Sequence, residues 1–240
     1  MDGILIINKP KGRTSHDIVA KVKRIVGNKV GHTGTLDPNA TGVLPLLIGK
    51  GTLCSQYLME HDKIYEVVLK LGQKTDTADL EGNIIEEKEV QSSSLERNKV
   101  QEVLHSFIGK QEQVPPMYSA IKVNGKKLYE YARNGQTVEI KPRQIEIFKC
   151  KLENINLQEK EICFTVHCSK GTYIRSLCED IAEELETVGY MKELNRIKVG
   201  KFDIQQAITI EEIEENIENK EFFNEHFISI EKAFKEKEAI

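Results

Sequence analysis

The segment His32-Thr33-Gly34-Thr35-Leu36-Asp37-Pro38-Asn39-Ala40-Thr41-Gly42-Val43-Leu44-Pro45 places one carboxylate, Asp37, in a stretch too rich in Gly, Thr and Pro for the interior of a helix or strand. Loops of this kind bring backbone close to a ligand and hold one side chain for chemistry. A carboxylate held in that way is a competent nucleophile. The competing reading is a turn in which Asp37 caps its own backbone, a common role for Asp before Pro. The loop alone leaves both open.

The flanking elements must hold that loop still. Gly3-Ile4-Leu5-Ile6-Ile7-Asn8 reads as a buried strand, ended by the turn chemistry of Lys9-Pro10-Lys11-Gly12. Thr14 or Ser15 caps a helix whose apolar positions Ile18, Val19, Val22, Ile25 and Val26 recur at helical spacing. Val43 to Ile48 is a short strand, Tyr65 to Leu71 another, and Thr75 to Gly82 a polar loop. Ser94 is placed to cap a helix from Leu95 to about Ile108, with Val100, Val103, Leu104 and Phe107 inward. Asn124-Gly125 is the strongest hairpin signal, with a short helix from Tyr129 to Arg133 after it. Residues 144–168 read as two strands, and Gly171-Thr172 introduces a helix from Tyr173 to about Leu185. Strands and helices alternate without the beat of parallel βαβ units. The class expected is α+β, with a mixed, largely antiparallel sheet and flanking helices.

The 240-residue chain carries a net charge of −4, but the distribution matters more than the sum. Residues 211–240 hold ten Glu against four Lys, a net of −6, which leaves +2 on residues 1–210. Residues 1–30 hold seven Lys or Arg against two Asp, and residues 117–143 hold six against two Glu. These segments suit a basic face or ordinary solvated surface, and charge alone does not choose. No apolar run reaches the roughly 18 residues of a membrane span, and the N-terminus lacks the pattern of a signal peptide. Five cysteines, an odd number without CxxC spacing, read as reduced thiols of a cytoplasmic protein and not as zinc ligands.

Four blocks line up: Lys9-Pro10-Lys11-Gly12-Arg13-Thr14-Ser15, the Asp37 loop, Lys63-Ile64-Tyr65, and Ser169-Lys170-Gly171-Thr172-Tyr173-Ile174-Arg175. Together they resemble the bacterial tRNA pseudouridine-55 synthase family. The resemblance extends through Leu71-Gly72-Gln73-Lys74-Thr75-Asp76-Thr77, Pro116-Met117-Tyr118-Ser119-Ala120 and Gly125-Lys126-Lys127-Leu128-Tyr129-Glu130-Tyr131-Ala132-Arg133, covering roughly residues 3 to 203. It implies the pseudouridine synthase fold over residues 1–210, a mixed sheet with a central catalytic cleft. It also implies isomerisation of the T-loop uridine at position 55 of tRNA, with no metal and no organic cofactor, by a monomer in the cytoplasm.

The resemblance assigns roles by position. Asp37 matches the catalytic aspartate, the nucleophile toward a flipped-out nucleotide. Arg175 matches the cation that keeps it ionised; an opposite charge at about 4 Å contributes up to roughly 4 kcal/mol at an effective dielectric near 20, before desolvation. As an arginine in the first turn of a helix, Arg175 asks for a local carboxylate in any case. Tyr65 matches the active-site tyrosine, whose ring replaces lost base stacking worth roughly 1–3 kcal/mol. His32 matches a histidine that helps extrude the nucleotide. Lys9 matches a cleft-lining position where it meets phosphate or braces the Asp37 loop. Leu194 and Arg196 match a later Leu-x-Arg segment, with Leu194 near the target base. Residues 117–143 match the thumb, an insertion over the T arm, in which Tyr118, Lys122, Lys126, Lys127 and Arg133 suit phosphate and stacking contacts. Lys170, just before Arg175, joins the RNA-binding candidates.

One departure stands out. Bacterial members usually carry a C-terminal PUA domain, whereas here residues 211–240 read as an acidic segment with that domain absent. Other readings stay open. A non-catalytic tRNA-binding chaperone would use the same basic segments, a guide-RNA-dependent synthase subunit would share the fold, and a base-excising hydrolase would share a carboxylate near C1′. The last normally needs two carboxylates.

Overall fold

The computed structural model describes residues 2–235. Strand β1 (Gly3–Lys9) leads into α1 (Ser15–Val26), β2 (Val30–His32), β3 (Thr41–Ile48), α2 (Ser55–Met59) and β4 (Lys63–Leu71). The ribbon β5 (Gln73–Thr75) and β6 (Ile84–Glu87) precedes α3 (Arg97–Ser106) and β7 (Gly109–Gln113). The short pair β8 (Lys122–Val123) and β9 (Lys126–Lys127), then α4 (Leu128–Arg133), β10 (Arg143–Asn156) and β11 (Glu161–Cys168) follow. The last elements are α5 (Ile174–Glu184), β12 (Gly189–Val199), β13 (Phe202–Asp203), α6 (Ile210–Glu215), α7 (Lys220–His226), β14 (Phe227–Ser229) and α8 (Ile230–Lys235).

These elements gather into two units. One takes the chain up to Tyr65 and resumes at Asn195; the other is Glu66–Leu194. In the first, the strand order is β14-β1-β3-β12. β1 runs antiparallel to both β14 and β3, and β3 is parallel to β12 through Asn195↔Thr41 and Arg196↔Gly42. Both faces of β1 are covered, which is why its sequence is a continuous apolar run and not an alternation. Leu5 and Ile7 pack with Ile18, Val19 and Val22 of α1, while Ile4 and Ile6 pack with Leu58 of α2 and Val199 of β12. In the second unit, the strand order is β12-β4-β11-β10-β7, with β10 antiparallel to β11 and β7. The α+β class with a mixed, largely antiparallel sheet holds.

Local chemistry explains most of the boundaries. Thr14 caps α1 in a capping box, its hydroxyl accepting from the Asp17 N–H while Asp17 accepts from the Thr14 N–H at 2.9 Å. Asn124 and Gly125 both have positive φ, 50° and 81°, as the tight turn joining β8 to β9 requires.

Two expectations are corrected. Ser94 caps no helix: it lies in a 3-10 turn, Ser92–Leu95, and α3 starts two residues later than expected, at Arg97. Strands β7 and β12 arise where no strand was expected. β7 is polar throughout, and Lys192, Glu193 and Lys198 interrupt β12, which hides the period-2 pattern. The acidic stretch from residue 211 is built into the first unit and not appended to it. Ile213 and Phe223 are buried in the α1 core cluster, and β14 pairs with β1. Residues 236–240 of that stretch lie outside the described residues. Ile213→Ala is expected to destabilise the chain by about 2–5 kcal/mol, read as a lower urea midpoint; an unmoved midpoint would show the stretch to be merely attached.

Candidate functional site

In the first unit the Asp37 loop is held almost entirely through its backbone. Lys9 is fully buried, and its ammonium donates to the carbonyls of Pro10 (3.0 Å), Arg13 (2.6 Å) and Pro38 (2.9 Å), the last adjacent to Asp37. The Gly12 N–H donates to the same Pro38 carbonyl at 2.9 Å. Ser15 brackets Leu36, donating to its carbonyl at 3.1 Å and accepting from its N–H at 2.9 Å. Arg196 is 1% exposed. Its Nε donates to the Val43 carbonyl at 2.8 Å and its Nη2 to the Gly34 carbonyl at 3.1 Å. Asp37 itself is half-buried, with its carbonyl receiving the Ala40 N–H at 3.1 Å.

Lys9 and Arg196, expected among the RNA contacts, are therefore corrected. Both donate to backbone carbonyls inside the protein, Lys9 to three and Arg196 to two. Gly42, at φ 102°, sits where β3 meets β12, and a Cβ there would lie 2.3 Å from the Arg196 carbonyl oxygen. Only glycine admits this approach.

His32 ends β2, half-buried, and its Nδ1 has no hydrogen-bond partner among the described residues. Burial holds its imidazole below the usual value of 6.5; the Arg196 guanidinium adds to this, the Gly34 backbone opposes it, and His16 lowers it further. Tyr65 lies buried in β4 at the end of this unit.

In the second unit Arg175 occupies the first turn of α5. Its Nη2 donates to the Tyr118 carbonyl at 2.8 Å and its Nη1 to the Thr77 carbonyl at 3.2 Å, with Asp79 Oδ2 at 3.5 Å. Asp79 is the local carboxylate that a cation at a helix N-terminus calls for. The sequence reading placed it only in a polar loop. Its one signal there is the density of Asp and Thr over Asp76-Thr77-Ala78-Asp79. Asp79 is itself fixed, accepting from the Thr77 hydroxyl at 2.7 Å and the Glu81 N–H at 3.0 Å. Gln113, at the end of β7, holds Tyr173 from both sides, accepting its N–H at 2.8 Å and donating to its carbonyl at 3.1 Å. That fixes where α5 begins. Leu194 is buried in β12 at the end of this unit, and Lys170 is exposed after β11.

Three cations of the 117–143 segment lie over tyrosine rings. Lys127 and Arg133 lie 5.3 and 5.2 Å from the Tyr129 ring centre, and Lys126 lies 6.0 Å from that of Tyr131. Lys122 is exposed on β8. Among the described residues no group of three or more His, Cys, Asp or Glu is arranged to hold a metal ion, and no helix is long and apolar enough to cross a membrane.

Comparison with known proteins gives a consistent picture. The family model for TruB family pseudouridylate synthase (N terminal domain) matches residues 22–174. That for the tRNA pseudouridylate synthase B C-terminal domain matches residues 175–235. The chain is 49% identical over 216 residues to tRNA pseudouridine synthase B of Caldanaerobacter subterraneus subsp. tengcongensis, covering 90% of this chain and 75% of that one. It is 48% identical over 235 residues to tRNA pseudouridine synthase B of Clostridium perfringens, covering 97% and 77%. Among solved structures it is similar to a Cbf5-Nop10-Gar1 complex, with a TM-score of 0.73 and 28% identity, over 96% of this chain and 61% of the other.

The position of His32 has a measurable consequence. Because its folded value lies below 6.5, the unfolded chain takes up the proton first. The stability it contributes is whole above about pH 6.5 and is lost as pH falls from there through the folded value. His32→Gln is expected to lose less unfolding free energy than the parent between pH 7.5 and pH 5.5, about the window set by the reference value, in urea titrations. Equal losses would remove His32 from the acid response.

Proposed function

The chain belongs to the TruB family of pseudouridylate synthases, and on that premise we propose that it isomerises the T-loop uridine at position 55 of tRNA, with Asp37 as the carboxylate that acts on the flipped-out nucleotide. tRNA pseudouridylation is the activity named for its relatives across the region they share with this chain. The reaction breaks the N1–C1′ bond, joins C5 to C1′, and moves a proton from C5 to N1. Nothing is oxidised or added, so the balance calls for no cofactor. We infer a monomer acting in the cytoplasm.

The observation that carries this reading is the Asp37 loop itself. A half-buried carboxylate stands on a backbone pinned at Gly34, Leu36, Pro38 and Val43. A nucleophile must hold its position while the base leaves, turns and returns, and misplacement by about 1 Å costs on the order of 100-fold in rate. In this reading Arg175 supplies the cation that keeps Asp37 ionised. Tyr65 supplies the aromatic plane for the detached uracil, and Leu194 packs beside it. His32, neutral at pH 7, stacks on or hydrogen-bonds to RNA where the nucleotide leaves the loop, and its unpartnered Nδ1 suits that role. Tyr118, Lys122, Lys126, Lys127, Arg133 and Lys170 meet the T arm.

Incubation with an unmodified T-arm stem-loop, followed by digestion to nucleosides, is expected to yield pseudouridine. Binding with no product would favour a chaperone; free uracil would favour a hydrolase. Asp37→Asn is expected to lose turnover by about 1,000-fold or more with RNA affinity largely kept; activity within about tenfold of the parent would take Asp37 out of the mechanism. Asp79→Asn removes the charge that steadies Arg175 and is expected to lower kcat by about tenfold, with KM nearly unchanged. A rise in KM alone would make Asp79 a binding residue instead.

A further inference from the structure

We propose that Arg196 is a positioning residue for the reaction: by gripping the chain on both sides of the Asp37 loop, it fixes where Asp37 and His32 stand without itself touching RNA. The inference rests on reading Asp37 as the reacting carboxylate.

β2 and β3 pair only as far as His32↔Leu46, with a last rung from the Thr33 N–H to the Pro45 carbonyl at 3.2 Å. Beyond that rung one arm runs on to Gly34, while the other, at Val43, is paired with Asn8 of β1. The Arg196 guanidinium bridges the two, holding the Gly34 carbonyl on one arm and the Val43 carbonyl on the other. Its own backbone is locked by the parallel pairing Arg196↔Gly42 and by the close approach that only Gly42 permits. The clamp is therefore anchored at both its backbone and its side chain.

Its two bonds go to carbonyls, which are neutral and leave the charge in place. A neutral clamp, such as a buried amide, would hold the same two carbonyls without that field. Such a field favours a nearby negative charge and disfavours a second positive one. His32 reports on it: Arg196 is the largest charge acting to lower that imidazole, with His16 of α1 the other titratable group facing it. A positioning role and a plain structural one thus differ in what they do to His32.

The test uses the full chain with Arg196→Met, Arg196→Gln and Arg196→Lys, scored by single-turnover kinetics on unmodified tRNA and by NMR titration of the His32 imidazole. In Arg196→Met, kcat is expected to fall by about 100-fold with KM within about threefold. The His32 midpoint should move up toward 6.5, with the acid limb of kcat following. Arg196→Lys, which keeps the charge and loses the fork, should leave the His32 midpoint low and recover part of kcat. Should Arg196→Met fail to fold, Arg196→Gln and Arg196→Lys carry the comparison, the first raising the midpoint and the second not. A folded Arg196→Met or Arg196→Gln with parental kcat, or an unmoved His32 midpoint in both, overturns the proposal. The titration needs no turnover, so it stays informative even if Asp37→Asn proves active and the reading of Asp37 fails.

Discussion

A carbonyl oxygen taken out of water must find a donor, and a loop without a strand partner has none of its own. In this protein two buried cations settle that debt for the Asp37 loop. Lys9 ties the Pro38 carbonyl of the loop to the Pro10 and Arg13 carbonyls of the turn after β1, and Arg196 serves two carbonyls, those of Gly34 and Val43. The dependence runs both ways. A lone buried charge costs several kcal/mol unless it is well hydrogen-bonded, and the loop's carbonyls supply those bonds. The strand β1, the turn after it, the start of α1 and the strand β12 all contribute one group to this loop. Their packing can be understood as what brings those groups to it.

Arg175 solves a different problem. Its place in the first turn of α5 sets it against the helix dipole, and Asp79 answers with a carboxylate, whereas Arg196 donates to carbonyls. The Tyr118 carbonyl adds a further tie, at the root of the 117–143 segment. A displacement of that root would change the hydrogen bonding of the guanidinium, so the segment and the arginine are mechanically linked within their unit.

How much of this was legible in the sequence depends on the range of the interaction. Strand β1, helix α1 with its Thr14 cap, the Asn124-Gly125 turn and α5 follow from contacts within a few residues, and pattern alone locates them. The burial of Lys9 and Arg196 does not. A lysine before a proline turn reads as solvent-facing, and the partners that draw Arg196 inward lie 153 and 162 positions away. Asp79 was hidden for the same reason, since its partner is Arg175. β12 was hidden by composition: Lys192, Glu193 and Lys198 break the apolar alternation that marks a strand. Ser94 looked like a cap, but residues 92–95 took up a 3-10 turn first and left Glu96 at the helix start. Motifs mark the candidate residues; the groups that hold them are set by contacts far apart in the chain.

The charge distribution now separates two segments that composition could not. In residues 1–30 the basic side chains are partly consumed. Lys9 is buried on carbonyls, and Lys21 pairs with Glu214 of α6 at 2.9 Å. In residues 117–143, Lys126, Lys127 and Arg133 rest instead on the rings of Tyr129 and Tyr131. The difference matters for a polyanion. A carboxylate partner neutralises a cation, whereas an aromatic face steadies it by about 0.5–1 kcal/mol at an exposed site and leaves its charge intact. Counterion release on binding RNA rewards charges of that second kind. A chain of net charge −4 is thus compatible with a polyanionic substrate, because cations held on aromatic rings keep their charge.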